Sequence, residues 1–219
     1  MFNFNKFLSD LIYILPAVVV SLSVHEFAHA FVSYKLGDVS QKERGRMSLN
    51  PLRHLDPIGT ITLLFFGFGW AKPVQVDPYY YRNKKEGMMW TALAGPLMNF
   101  VVAFISVVFM GLLMKFATMW IYTSSVGNYL FMFLLILAQI NIGLGIFNLI
   151  PIPPLDGSKI LMGILKEETY FKLLRYENYF MMGLVLLLAS GFLDSQLLYA
   201  RSTILNSFTN VVFMLLVMN

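Results

Sequence analysis

The sequence predicts an all-α polytopic membrane protein with about four to five transmembrane segments and a short re-entrant β-hairpin or edge-strand element. Three observations predict it. Of 219 residues, 58% are hydrophobic and only 13% charged, and the mean hydropathy of +0.67 lies well above that of a soluble domain. Several apolar stretches approach the roughly 20 residues that cross a hydrocarbon core of about 30 Å. The basic residues fall in short segments between those stretches, as topology signals do. A formal charge of +4 spread over such loops forms no stripe or tail, so a lipid bilayer and no nucleic acid is expected as the surrounding partner. With no cysteine, disulfides and thiolate ligands are excluded, and any metal must bind through nitrogen or oxygen. A single domain over 1–219 is expected, with a core at about 11–175 and C-terminal membrane helices at about 176–219.

The first apolar segment, about Leu11 to Leu36, would span roughly 39 Å as a helix, enough to cross with some tilt. It is read as a retained span and not a cleaved signal, because it carries His25, Glu26 and His29. The loop that follows holds Lys35, Lys42, Arg44, Arg46 and Arg53 against Asp38, Glu43 and Asp56, which makes it cytoplasmic and the N-terminus extracytoplasmic. The next apolar run, Ile58 to Trp70, is too short to cross and is followed by another basic loop with Lys72, Arg82, Lys84 and Lys85. It is therefore expected to dip in and return, ending in "GWAKPVQV", whose Val74/Val76 alternation suggests an extended edge strand. Such an edge must be buried in protein or face a watery cavity.

A second long span runs from Met88 to Lys115, with Ala92, Ala94 and Gly95 as a small-residue surface for close helix approach. The uncharged stretch Phe116 to Asn128 suits an extracytoplasmic loop, and a span from Tyr129 to about Leu149 returns to the side of Lys159, Lys166, Lys172 and Arg175. Tyr179 to Leu193 is a shorter candidate crossing. The run through Val211 to Met218 is a span or an interfacial helix.

"HEFAH" places His25 and His29 four residues apart, so both imidazoles project from one helix face and can share one metal ion, while Glu26 reaches a water beside it. An ionisable side chain at mid-bilayer costs about 2.5–3.5 kcal/mol on insertion scales, which makes three of them in five positions a functional signal. Zinc accepts imidazole and carboxylate, and a hydrolytic site needs three protein ligands with an open position. Asp156 in "NLIPIPPLDGSK" is the strongest candidate for the third: Pro151, Pro153 and Pro154 stop the preceding helix, and Gly157 permits a sharp turn. The plainer alternative is a loop aspartate that caps a helix beginning at Ser158.

"HEFAHA", "GWAKPV", "LAGPLMN" and "FNLIPIPPLDG", in that order, resemble the site-2 protease family of intramembrane zinc metalloproteases in its compact prokaryotic form, over most of residues 15 to 175. The resemblance implies one Zn2+ per chain held by His25, His29 and Asp156, with Glu26 as catalytic acid/base. It also implies a place for Asn148 near the scissile carbonyl, where an amide donor could steady an oxyanion; an interhelical hydrogen bond is the alternative. Asn99, Gln139 and Asn141 are read as interhelical amides. His54 is a candidate gate or regulatory ligand, with a solvated loop histidine as the alternative. Trp70, Lys72 and Val74 are candidate substrate-strand contacts, since a substrate helix must unwind before cleavage and an exposed strand edge would hold it extended; for Lys72 an ordinary topology lysine is the favoured alternative.

The expected function is therefore endoproteolysis in or near transmembrane segments of other membrane proteins, in regulated intramembrane proteolysis. The location is a prokaryotic cell (inner) membrane, with the site nearer the cytoplasmic face. A homo-oligomer or an accessory regulatory protein is a further candidate partner. The rival is a divalent-metal transporter that uses the same His/Asp ligands.

Overall fold

The computed structural model describes residues 4–59, 62 and 72–217, and its regular structure is helical. Helix α1 (Phe4–Lys35) contains Pro16 without ending there, and the short α2 (Ser40–Glu43) follows it. Next come α3 (Lys84–Phe116), the short α4 (Thr118–Thr123) and α5 (Ser125–Asn148). The chain ends with α6 (Asp156–Ile164), α7 (Glu167–Leu174), α8 (Glu177–Ala189) and α9 (Asp194–Val217).

The helix starts are written locally. Asn83 caps α3 by accepting hydrogen bonds from the Lys85 and Glu86 amides at 3.2 and 3.3 Å, and Ser124 caps α5 through the Gly127 amide at 3.4 Å. Helices α1, α3 and α5 pack on one another, with α3 against α5 the most extensive pair. Their shared core holds Ala103 and Val107 of α3, Ala138 and Ile142 of α5, and Val212 of α9. Meanwhile Val101, Ile105 and Phe109, one turn apart on the other face of α3, are about half exposed. An apolar stripe turned outward fits a helix whose solvent is lipid.

Among the described residues, three helical segments are long and apolar enough to cross a membrane: Asp10–Lys35, Lys84–Phe116 and Ser125–Asn148. Helices α8 and α9, bent by 82° at the break between them, make a fourth if counted as one span. With that fourth span the described residues reach the lower end of the expected four to five. The run from Tyr179 to Leu193 does not cross alone, because α8 has 13 residues, roughly 20 Å of helix. Helix α9, in contrast, packs along α3 and α5.

The expected β element finds no support among the described residues. Most of the run from Ile58, including Trp70, lies outside the described residues, and 72–77 forms no strand. Pro73 has no N–H to give a ladder. The neighbouring backbone groups are taken by side chains: the Val74 amide by Glu26, the Gln75 carbonyl by Gln41 and Arg44, and the Asp77 amide by Asp38.

Candidate metal centre

His25 and His29 lie one turn apart on the face of α1 that packs against α3, and both are nearly fully buried. His29 Nδ1 sits 2.6 Å from the Thr91 carbonyl, which can only accept, so its proton is on Nδ1. His25 Nδ1 sits 2.6 Å from Asn99 Oδ1. Both Nε2 atoms consequently turn inward, 3.0 Å from each other.

Asp156 reaches the same point from the far end of the fold. After α5, the Pro151, Pro153 and Pro154 stretch cannot continue a helix, and the chain re-forms one at Asp156, which opens α6 and is not a cap for it. The role expected of Gly157 changes accordingly. A Cβ there would lie 2.5 Å from the Leu149 carbonyl oxygen and would also strike that of Ile150. The glycine is needed for the close approach of α6 to the preceding loop and not for a left-handed turn. Helix α6 packs on α3, and Asp156 Oδ2 stands 3.1 Å from each histidine Nε2. Its Oδ1 forms an ion pair with Lys159 at 3.1 Å.

With both rings neutral, two imidazole lone pairs and a carboxylate oxygen converge with no donor between them, an arrangement that calls for a cation, or a proton on one ring, at that point. Atoms about 2.0–2.2 Å from a tetrahedral zinc stand roughly 3.3–3.6 Å apart, close to the spacing seen. The opposing wall is Gly95 of α3, where a Cβ would lie 2.5 Å from His29 Nε2 and 2.6 Å from His25 Cε1. His25, His29 and Asp156 therefore form a buried group that could hold a metal ion. Glu26, next along α1, accepts a hydrogen bond from the Val74 amide at 2.8 Å, which ties the segment 72–77 to the helix that carries both histidines.

The sequence matches the family description "Peptidase family M50" over residues 13–190. The chain belongs to peptidase family M50, the site-2 protease family. Three of its relatives are each named a "putative zinc metalloprotease". YwhC of Bacillus subtilis is 37% identical over 93% of this chain and 94% of its own length. Rip2 of Mycolicibacterium smegmatis is 30% identical over 72% of this chain and 59% of its own length. MJ0611 of Methanocaldococcus jannaschii is 32% identical over 74% of this chain and 75% of its own length. No solved structure matches the chain. Family membership and the three apolar helices together make this a multi-pass membrane protein.

The other residues singled out from this M50 sequence are dispersed. Asn148 ends α5 and donates to the Leu144 carbonyl at 3.1 Å. His54 is not solvated: it is fully buried, its Nε2 donates to the Ser48 carbonyl at 2.6 Å, and it stands outside the three-ligand group. Lys72 is exposed, and its backbone amide bonds the His54 carbonyl at 2.7 Å. Val74 meets Glu26, while Trp70 falls outside the described residues. Missed were the groups behind the ligands: the Thr91 carbonyl, Lys159, and the amide of Asn99 in "LAGPLMN".

A second polar cluster holds the segment 72–77 to the end of α1. Asp38, fully buried, accepts from Ser40 Oγ at 2.6 Å, Gln41 Nε2 at 2.7 Å, Ser33 Oγ at 2.9 Å and the Asp77 amide at 3.0 Å. Burial opposes its charge, but hydrogen bonds from Ser40, Asp77, Gln41 and Ser33 outweigh that and hold the carboxyl below its ordinary range.

Proposed function

We propose that this M50 protein is an intramembrane zinc endopeptidase that cleaves peptide bonds in or near transmembrane segments of membrane proteins, as in regulated intramembrane proteolysis. The observation that carries the reading is the convergence of His25 Nε2, His29 Nε2 and Asp156 Oδ2 within 3.1 Å of one another, beside Glu26. A zinc ion held by these three would act as Lewis acid to the scissile carbonyl and bring the pKa of water near 7. Glu26 is the proton carrier, taking a proton from the attacking water and delivering it to the leaving amine. Asn148 is assigned to the developing oxyanion, and Lys72 and Val74, with Trp70, to the extended substrate. His54 is assigned to the gate. The zinc names of the relatives and the carboxylate–imidazole donor set support this metal. The site is assigned to the cytoplasmic half of the cell membrane, on the side of the basic loops.

The test is purified chain with a model single-span substrate. Glu26→Gln is expected to keep one zinc per chain and lose cleavage by a factor of about 10²–10⁴, the usual contribution of a general base. Loss of zinc together with cleavage would remove Glu26 from the proton-carrier role. Metal flux in vesicles that depends on His25 and His29, without cleavage, would instead establish the transporter.

A further inference from the structure

We propose that Asn99 and Asn141 are positioning residues that fix the tautomer of His25 through a closed hydrogen-bond relay across three membrane helices. This rests on the metal-centre reading above. The relay joins Ser21 and His25 of α1, Asn99 of α3 and Asn141 of α5, with Ser21 and both asparagines wholly buried.

Its direction is dictated by backbone carbonyls, which can only accept. Asn141 Nδ2 donates to the Leu137 carbonyl at 2.8 Å, so its Oδ1 must face Asn99 Nδ2, 2.7 Å away. Asn99 Nδ2 also donates to the Ser21 carbonyl at 3.3 Å, which turns its Oδ1 toward His25. The second Asn141 proton goes to Ser21 Oγ at 2.7 Å, and the Ser21 hydroxyl goes to the Ala17 carbonyl at 2.6 Å. Every proton of the two amides and the hydroxyl is thus committed. The one acceptor left, Asn99 Oδ1, is satisfied only by a proton on His25 Nδ1, at 2.6 Å. A flipped amide would set N–H against N–H and leave buried groups unpaired. His25 is consequently held with a bare Nε2 aimed at Asp156. His29 obtains the same tautomer from the Thr91 main chain, which no substitution removes. The relay is the mutable half of the device.

The chain has three histidines, so ¹⁵N-histidine-labelled protein in bilayers, freed of zinc and held at mildly alkaline pH, reports each tautomer by solid-state NMR. His25 and His29 are expected protonated on Nδ1 and His54 on Nε2, the last serving as internal reference because it donates to Ser48. Asn99→Ala is expected to move His25 toward the Nε2 form and to weaken zinc binding, measured by chelator competition, by about 10- to 100-fold. Asn99→Asp, which keeps an acceptor for Nδ1–H, is expected to bind zinc more tightly than Asn99→Ala. A purely structural role predicts the reverse order, because a carboxylate buried there disturbs the bundle more than a methyl group. An Nε2-protonated His25 in the wild-type chain overturns the proposal, and that measurement needs no variant to fold. So does Asn99→Ala with unaltered tautomer and affinity. A wild-type chain that shows the expected tautomers but binds no zinc leaves the relay standing and removes the metal centre.

Discussion

A methyl group at Gly95 would meet both imidazoles within 2.6 Å, in the space between the ligands and α3. Gly95→Ala is therefore expected to cost about 1–3 kcal/mol of overpacking and to abolish zinc uptake while the helices persist, as read by circular dichroism beside metal analysis. Retained zinc would mean that the ion sits elsewhere. Asp156→Ala removes one ligand of three and should weaken zinc by more than the 10- to 100-fold that an outer-shell loss costs, measured by the same analysis. At this scale the residues that converge were legible as candidate ligands. His25, Glu26 and His29 carry their meaning in spacing alone, and Asp156 stands behind prolines that end a helix. Asn99 was not legible, because an asparagine facing another helix and one holding a ligand have identical sequence signatures. The Thr91 contribution is a carbonyl, which every residue possesses.

Among the elements, the segment 72–77 depends on Asp38, which takes hydrogen bonds from α1, α2 and the segment itself. Loss of charge-assisted bonds costs about 1.5–3 kcal/mol, so Asp38→Asn should lower thermal stability by that order and loosen Val74 from Glu26. The sign with pH follows from the depressed carboxyl. Its contribution is complete above the unfolded value of 3.8 and fades as pH falls through the lower folded value. The gap between wild type and Asp38→Asn should then be constant from pH 7 to about 4 and close below it, in melts run across that range. A gap that widened in acid would refute the assignment. The Val74/Val76 alternation suggested a strand, yet side chains of α1 and the following loop capture those backbone groups first. Alternation reports which residues face which way and carries nothing about who supplies the partner. The same blindness to partners made the Tyr179–Leu193 run look like a crossing, when α8 stops at Ala189 and turns sharply into α9.

For the whole molecule, the distribution of Lys and Arg predicts that the loop after α1 is cytoplasmic and the α4 region is outside. The chain has no cysteine, so single cysteines report this directly. An impermeant maleimide should label Tyr122→Cys in intact cells and Leu52→Cys only after permeabilisation, both positions being well exposed. The opposite pattern would invert the topology and move the centre to the outer half. The bundle of three apolar helices was readable from hydropathy because each is long and strongly apolar, whereas the join between α8 and α9 turns on a break too short for hydropathy to register. One further consequence follows from where Asp156 lies. It is 127 residues beyond His29, past α3 and α5. A nascent chain that has inserted only its first two membrane helices holds the histidines and the glutamate without their carboxylate. On the proposed reading, synthesis itself is a safety catch: the three candidate ligands can meet only after the return span has been made.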